Sequence, residues 1–127
     1  MNVPDNLSYT RDHEWAEVTE NRIKVGLTDY AQDALGDVVF VQVPVVGAVV
    51  KAGSTFSEVE STKSVSDVYA PVTGTVVEVN DELSDAPQRV NEDPYGSGWI
   101  CVIEPDADTT MDRLLTPAQY LDLVGEG

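Results

Sequence analysis

Between residues 38 and 79, apolar residues often alternate with other residues, which is the two-residue period of a β-strand. Val39, Val41 and Val43 fall on one face of such a strand, and Val77 and Val79 continue the pattern later. Glycine and proline interrupt the alternation every several residues, which indicates short strands joined by tight turns. The pattern therefore predicts an all-β fold, either a small barrel or a sandwich.

The residues before this region predict a hairpin followed by a short helix. Residues 14–18 and 22–25 are strand candidates, and the polar residues 19–21 between them favour a turn. Thr28 suits the N-cap of a helix over residues 29–35, because its hydroxyl can accept a hydrogen bond from a free backbone N–H. Gly36 can end that helix.

The C-terminal part is acidic but carries two further structural signals. Residues 99–103 predict a buried strand that ends at Pro105. Thr116 followed by Pro117 indicates the start of a helix, and Gly125 can end it. We expect the inward face of this helix to consist of Tyr120, Leu121 and Val124.

The net charge of the chain argues against several classes of function. The 127 residues include 23 acidic and 7 basic side chains, for a formal net charge of −16. Such a chain is unsuited to DNA, RNA or anionic membrane surfaces, which attract clustered Lys and Arg. Because 42% of the residues are hydrophobic, the acidity is not that of a disordered tail. The length predicts a single domain over residues 1–127.

The residues with catalytic or ligand chemistry do not suggest a catalytic centre. The one histidine, His13, precedes Glu14, and neighbours in a strand point to opposite faces, so a His–Glu dyad is geometrically poor. One histidine and one cysteine are too few ligands for a classical zinc site. Cys101 has apolar neighbours and is expected to be buried and inert. We expect neither independent catalysis nor a metal site.

The sequence also bears on location. No apolar run approaches the roughly 20 residues needed to cross a bilayer. Residues 1–5 show neither the signal-peptide nor the transit-peptide pattern. A single cysteine gives no sign of an oxidising compartment. We therefore expect a cytoplasmic protein of bacterial type.

One lysine is distinguished by its setting. Lys63 is one of three lysines, and it lies in the polar stretch 60–64 between two strand candidates, with Val59 and Val65 beside it. A hairpin there would hold the lysine outward on a rigid support. Polar hairpin tips also serve solubility alone, so composition leaves both interpretations open.

The segment around Lys63 resembles a known signature. Residues 59–74, VESTKSVSDVYAPVTG, closely resemble the lipoyl-lysine signature of the glycine cleavage system H protein family. The resemblance covers nearly the whole chain and implies the flattened β-barrel of lipoyl and biotinyl carriers, the barrel-sandwich hybrid. Further motifs similar to those of the family occur in family order, at residues 13–15, 26–32, 35–37, 38–41, 91–92, 94–95 and 98–99.

The resemblance implies a non-catalytic carrier in glycine catabolism and one-carbon metabolism. Lys63 would carry lipoic acid in amide linkage, added by a lipoate-attaching enzyme. The arm would take an aminomethyl group from a pyridoxal-phosphate glycine decarboxylase to a tetrahydrofolate-dependent aminomethyltransferase. A dihydrolipoyl dehydrogenase would then reoxidise it. The modification motif would comprise Glu60, Ser61, Ser66 and Asp67.

The resemblance also implies that the loaded arm rests in a surface cleft, where Glu14 and Asp67 hold the ammonium group of the cargo. A charge-assisted hydrogen bond there would favour the cationic cargo and restrict water. Two residues depart from the family pattern. Asp12 stands where some members have a small hydroxyl residue, which leaves the polarity of the cleft open. Val45 replaces a common acidic residue, which weakens any binding role for its turn.

Two other interpretations remain open at this point. The chain could be a biotin carrier or the lipoyl domain of a 2-oxo acid dehydrogenase acyltransferase. Thr62 and Ser64 stand where biotin acceptors usually have methionines, and the Ala/Pro-rich linker common after acyltransferase lipoyl domains is absent from this sequence. The chain could also be an unmodified acidic interaction domain, because the sequence does not prove that Lys63 is modified.

Overall fold

The computed structural model describes residues 2–107 and 114–125. Within these ranges the chain forms nine strands and four short helices. The strands are β1 (Ser8–Tyr9), β2 (Glu14–Thr19), β3 (Arg22–Leu27), β4 (Val38–Val41), β5 (Val49–Val50), β6 (Thr55–Ser61), β7 (Val65–Tyr69), β8 (Gly74–Val79) and β9 (Cys101–Pro105). The helices are α1 (Asp29–Leu35), α2 (Glu82–Asp85), α3 (Arg89–Glu92) and α4 (Pro117–Leu123).

The strands form two antiparallel sheets, neither of which closes into a barrel. One has the order β1-β2-β3-β9-β8-β5, and the other has the order β4-β6-β7. Buried side chains from both sheets meet in one hydrophobic core, including Val25, Val59, Val68 and Ile103, each 0% exposed. The predicted all-β, flattened architecture with peripheral helices is confirmed.

The N-terminal hairpin and the first helix form where the sequence predicts them. Thr19 pairs with Arg22 across a two-residue turn between β2 and β3. Helix α1 covers the predicted residues 29–35, and the Thr28 hydroxyl accepts a hydrogen bond from Ala31 N (3.1 Å). Gly36 follows with φ of 82°, a left-handed conformation that glycine adopts without steric cost.

Helix α4 closes a second, aromatic cluster. Its start at Pro117 is confirmed, and Thr116 forms a capping box with Gln119. Tyr120 is fully buried and stacks on Tyr9, with ring centroids 4.8 Å apart. Val124 packs against the same cluster, as predicted, whereas Leu121 is only partly buried.

Several strand bounds differ from the sequence-based prediction. Strands β2 and β3 extend to Thr19 and Leu27, and β4 ends at Val41, so Val43 lies outside it. The prediction that Val39 and Val41 share a strand face is wrong, because the register shifts between Val38 and Phe40, and Val39 is 51% exposed whereas Val41 is 2% exposed.

Two further strands and two helices also differ from the prediction. The strand predicted over residues 99–103 begins at Cys101, because the backbone at Trp99 is still part of a turn in which its N–H bonds to the carbonyl of Gly96. Strand β6 continues through Ser61, so Glu60 and Ser61 are strand residues rather than turn residues. Helices α2 and α3 were not predicted, and each is four residues long with one buried anchor, Leu83 or Val90.

Candidate functional site

The β6–β7 hairpin presents Lys63 at its tip. Its pairing register sets Val59 opposite Ser66 and Glu60 opposite Val65, which leaves residues 62–64 as the turn. Val59 is 0% exposed in the core, whereas Lys63 is exposed. The predicted outward position of Lys63 on a supported hairpin is therefore confirmed.

The side chain of Ser61 shapes this turn. Its Oγ accepts hydrogen bonds from the backbone N–H groups of Lys63 and Ser64, both at 3.1 Å. Its own hydroxyl donates to the Ser64 carbonyl at 3.2 Å, and its backbone N–H donates to the same oxygen at 2.8 Å. Four hydrogen bonds thus close the loop around the lysine, which gives the motif residue Ser61 a structural reason.

The Lys63 side chain lies against the end of helix α1. A Cβ atom placed on Gly36 would stand 2.9 Å from Lys63 Cε and 3.6 Å from its Nζ. The turn is tied to the same segment, because Thr62 N donates to the Asp37 carbonyl at 3.0 Å. Among the described residues, no carboxylate lies within salt-bridge distance of Lys63. In this part of the chain the ammonium group therefore has no ion-pair partner, and the Lys63 side chain is exposed, as an amide-forming lysine requires.

Asn91 holds the segment against which Lys63 lies. Its Nδ2 donates to the Gly36 carbonyl at 2.8 Å, and its Oδ1 accepts from Val38 N at 2.8 Å. These bonds join α3 to the end of α1 and to β4. The sequence identifies Asn91 only as part of a family motif. Its hydrogen-bond partners are 53 and 55 positions away, so no local pattern predicts them.

A cavity of about 280 Å³ lies beside the hairpin, between β7, α1 and the turn before β2. Apolar and aromatic residues of α1 form one wall, and the hairpin forms the other. The cavity therefore offers an apolar wall and an acidic edge within reach of the lysine. Its lining includes Asp12, His13, Tyr30, Ala34, Ser66 and Asp67.

Glu14 does not line this cavity but lines a neighbouring one of about 340 Å³. Its side chain is 1% exposed, and its carboxylate accepts hydrogen bonds from the Thr10 hydroxyl (2.5 Å) and Tyr69 N (3.2 Å). Asp12 lines both cavities. The structure thus places Glu14 and the exposed Asp67 in adjacent cavities joined at Asp12, the position that departs from the family pattern.

Burial raises the pKa of Glu14 to about 7, against the two hydrogen bonds that favour its ionised form. A folded protein with this pKa retains a proton that the unfolded chain loses near pH 4.5. The retained proton adds on the order of 3 kcal/mol to the free energy of unfolding. This stabilisation is fully present below about pH 4.5 and is lost as the pH rises to about 7.

We therefore predict that the free energy of unfolding falls between these pH values in the wild-type protein and falls less in the Glu14→Gln variant. Urea denaturation at several pH values measures it. The Glu20→Gln variant, which changes an exposed carboxylate, serves as the control and should follow the wild type. Equal slopes in the wild type and Glu14→Gln would contradict the assignment.

The sequence pattern treats His13 only as half of an unfavourable dyad, whereas the structure gives it a different setting. It precedes β2 and has φ of 72°, so the strand-alternation argument does not apply to it. Its Nδ1 lies 2.9 Å from the Tyr120 hydroxyl, whereas Glu14 binds Thr10 and Tyr69. The two side chains have separate partners, so the structure brings no His13–Glu14 dyad together.

Cys101 is 0% exposed, so the prediction of a buried thiol is confirmed. Burial raises its pKa to about 12, which disfavours the reactive thiolate. In the described part of the chain, no three His, Cys, Asp or Glu side chains are grouped to hold a metal ion. None of the helices described is long and apolar enough to cross a membrane.

Comparisons with known proteins agree with this geometry. A family model described as "Glycine cleavage H-protein" matches residues 7–127. The glycine cleavage system H protein of Geobacillus kaustophilus (strain HTA426) is 50% identical over 127 residues, covering 100% of both chains. That of Anaeromyxobacter sp. (strain K) is 52% identical over 126 residues, covering 99% of this chain and 98% of the relative.

A solved structure is similar as well. The crystal structure of a glycine cleavage system H protein from Mycobacterium marinum superposes with a TM-score of 0.89 at 44% identity, covering 97% of this chain and 99% of the other. Sequence and fold agree over nearly the full length. The chain belongs to the glycine cleavage H-protein family, the lipoyl-bearing carriers of the glycine cleavage system.

Proposed function

We propose that Lys63 is the residue that carries the lipoyl group, and that residues 1–127 act as one lipoyl-carrier domain. The observation that supports this most is the Lys63 side chain, which is exposed and has no ion-pair partner among residues 2–107 and 114–125, on a turn closed by four hydrogen bonds of Ser61. Lys24 and Lys51 lack this setting. Lys24 instead lies over the Trp99 ring, with its Nζ 5.1 Å from the ring centroid.

The lipoyl group, when bound, would supply a disulfide that can take an aminomethyl fragment on one sulfur, and removal of that fragment would leave a dithiol that must be reoxidised. The chain itself contributes position. The hairpin presents the attachment point in one orientation, and Gly36 leaves room for the distal end of the lysine stem. The tether raises the effective concentration of the arm at each enzyme that the protein visits.

The proposed partners are the enzymes of the same cycle. A glycine decarboxylase with pyridoxal phosphate loads the arm, an aminomethyltransferase with tetrahydrofolate unloads it, and a dihydrolipoyl dehydrogenase reoxidises it. A lipoate-attaching enzyme modifies Lys63 first. We assign the chain no catalytic step of its own. The bacterial relatives support the cytoplasmic location that the sequence predicts.

This function is tested by glycine-dependent loading. Lipoylated protein, incubated with the decarboxylase and glycine labelled at its methylene carbon, should gain one aminomethyl group per chain, seen by intact mass. A chain that carries lipoate but is acylated by a 2-oxo acid dehydrogenase and never aminomethylated would instead belong with the acyltransferase lipoyl domains. That outcome would overturn the proposed cargo.

We further propose that the loaded arm rests against the cavity beside the hairpin and that Asp67 binds its ammonium group. Asp67 lies four residues after Lys63 on β7 and lines this cavity. Glu14, the second acid proposed for the cargo, is enclosed and is reached through the adjacent cavity that also contains Asp12. Carboxylates there favour the cationic cargo, whose positive charge in turn favours the ionised form of Glu14 against the burial that raises its pKa. The apolar wall of α1 limits access of water.

Replacing Asp67 with asparagine is expected to shorten the lifetime of the aminomethyl group on the isolated loaded protein by about fivefold, because a charge-assisted hydrogen bond becomes a neutral one. Mass spectrometry of the loaded protein over time measures this loss. The matched control is Glu58→Gln, since Glu58 is the direct cross-strand partner of Asp67 and lies outside the lining of the cavity. Equal lifetimes in the two variants would remove Asp67 from the proposed role.

A further inference from the structure

Three separate parts of the chain meet at the hydroxyl group of Tyr120 in helix α4. The Tyr120 oxygen lies 2.7 Å from Thr28 Oγ1 and 2.9 Å from His13 Nδ1. Tyr120 and Thr28 are both 0% exposed. The partners are 92 and 107 positions away along the chain, so the C-terminal helix joins the start of α1 to the turn before β2.

The directions of these hydrogen bonds follow from counting donors. Thr28 Oγ1 already accepts the Ala31 N–H, and in the described part of the chain its own hydrogen has one acceptor within reach, the Tyr120 oxygen. Thr28 therefore donates to Tyr120, and the hydrogen of Tyr120 is left to donate to His13 Nδ1. In this arrangement Nδ1 is unprotonated, and the ring hydrogen of neutral His13 is on Nε2.

One end of this chain of hydrogen bonds lines the cavity beside Lys63, and the other end caps the helix that forms its wall. Thr28 is the N-cap of α1, and α1 contributes Tyr30, Ala31, Ala34 and Leu35 to the lining. His13 lines the same cavity and packs on the ring of Tyr30, with centroids 4.6 Å apart. A shift of the Tyr120 hydroxyl would thus disturb two parts of the wall together.

We infer that Tyr120 is a positioning residue for this cavity: through Thr28 and His13 it holds helix α1 and the His13 ring in the arrangement that shelters the loaded arm. The inference rests on the proposed function, because it assigns a support to the site proposed for the cargo. Tyr120 does not line the cavity and acts only through its two partners.

The charges around His13 agree with a neutral ring. Burial lowers the pKa of His13 below its usual range, and the neighbouring carboxylate of Asp12 opposes this. The other titratable groups that face the ring are the phenols of Tyr30 and Tyr120, with Asp67 across the shared cavity. Protonation of Nδ1 would reverse its bond to Tyr120 and would leave one hydrogen of the buried Tyr120–Thr28 hydroxyl pair without an acceptor.

The first test examines the chain of hydrogen bonds through the protonation of the His13 ring in unlipoylated protein. Because the chain has a single histidine, ¹⁵N-labelled histidine gives one ring to observe. We expect Nδ1 to resonate as an unprotonated nitrogen in the wild type. In Tyr120→Phe we expect a mixture of the two neutral tautomers and a higher His13 pKa. The control Tyr9→Phe removes the hydroxyl of the stacked neighbour, which bonds to the Pro4 carbonyl, and should leave the His13 spectrum unchanged.

The second test measures how firmly helix α1 is held in the cavity wall. Amide exchange at Ala31 should be about fivefold faster in Tyr120→Phe than in Tyr9→Phe, because the Thr28 cap loses its support. The aminomethyl group on loaded Tyr120→Phe should also be lost faster than on loaded Tyr9→Phe. A ring protonated at Nδ1 in the neutral wild type, or equal exchange in the two variants, would overturn the inference.

The remaining outcomes separate the inference from the function on which it rests. If Asp67→Asn shortens the cargo lifetime and Tyr120→Phe does not, Tyr120 has no positioning role for the cargo, although the cavity does hold it. If neither variant shortens the lifetime, the proposed resting place of the cargo fails, and the role of Tyr120 in sheltering it fails with it. In that case, the histidine spectrum and the Ala31 exchange still report whether Tyr120 holds the wall.

Discussion

The Lys63→Arg variant is expected to carry no lipoyl group and to show no glycine-dependent loading. Arginine keeps the positive charge and much of the length of lysine, but its guanidinium does not form the amide that the attaching enzyme makes with an amine. Intact mass after co-expression with a lipoate-attaching enzyme, followed by the loading assay, measures both losses.

The fold should survive this change, because Lys63 is exposed and makes no ion pair among the described residues. The midpoint of urea denaturation of the Lys63→Arg variant should lie close to that of the wild type, as for most surface substitutions. The control is Lys51→Arg, which changes another exposed lysine and should retain one lipoyl group. A modified Lys63→Arg protein would show that the acceptor lies elsewhere.

The largest expected effect on stability follows from Gly74→Ala in strand β8. A Cβ atom at this position would stand 2.2 Å from the backbone oxygen of Glu104 and 2.8 Å from Ile103 Cγ2. Gly74 pairs with Pro105 on one side and with Val50 on the other, so the strand has little freedom to move away. We expect a loss of about 3 kcal/mol in the free energy of unfolding, measured by urea denaturation.

Gly47→Ala is the matched control for this change. Gly47 lies in the turn before β5, has open space around its Cα and has φ of 95°, so alanine there incurs backbone strain without a clash. We expect about 1 kcal/mol of destabilisation. If the two variants were equally stable, close backbone packing would not be the reason for glycine at position 74.

Local patterns predicted the elements whose signals are local. Helix α1 has its cap, its acidic first turn and its terminating glycine within nine consecutive residues, and its bounds were predicted correctly. The start of α4 was predicted for the same reason, since Thr116 and Pro117 mark it directly. The strand period identified the β-rich region, while the family resemblance was needed to specify the barrel-sandwich arrangement.

The missed features depend on contacts between distant residues. Helices α2 and α3 have four residues each, too few to be stable without tertiary packing, and are anchored by Leu83 and Val90 in the core. Strand β6 extends to Ser61 because Glu60 pairs with Val65 of β7 and Ser61 pairs with Val38 of β4, which residue type alone does not reveal. A polar stretch in sequence was therefore divided between strand and turn.

In the candidate site, too, local features were predictable and contacts between distant residues were not. Lys63 and its turn were predicted, since the signature residues are contiguous. The Gly36 contact, the Asn91 bonds and the bonds of Tyr120 to Thr28 and His13 join residues far apart in sequence. The separation of Glu14 and Asp67 into adjacent cavities also required the folded structure.

The most direct test of the central claim is the mass of the wild-type protein after co-expression with a lipoate-attaching enzyme, with the modified residue located by peptide fragmentation. We expect one lipoyl group per chain, in amide linkage to Lys63 and to no other lysine. An unmodified chain, or a lipoyl group on Lys24 or Lys51, would contradict the assignment of Lys63 as the attachment point of the carrier arm.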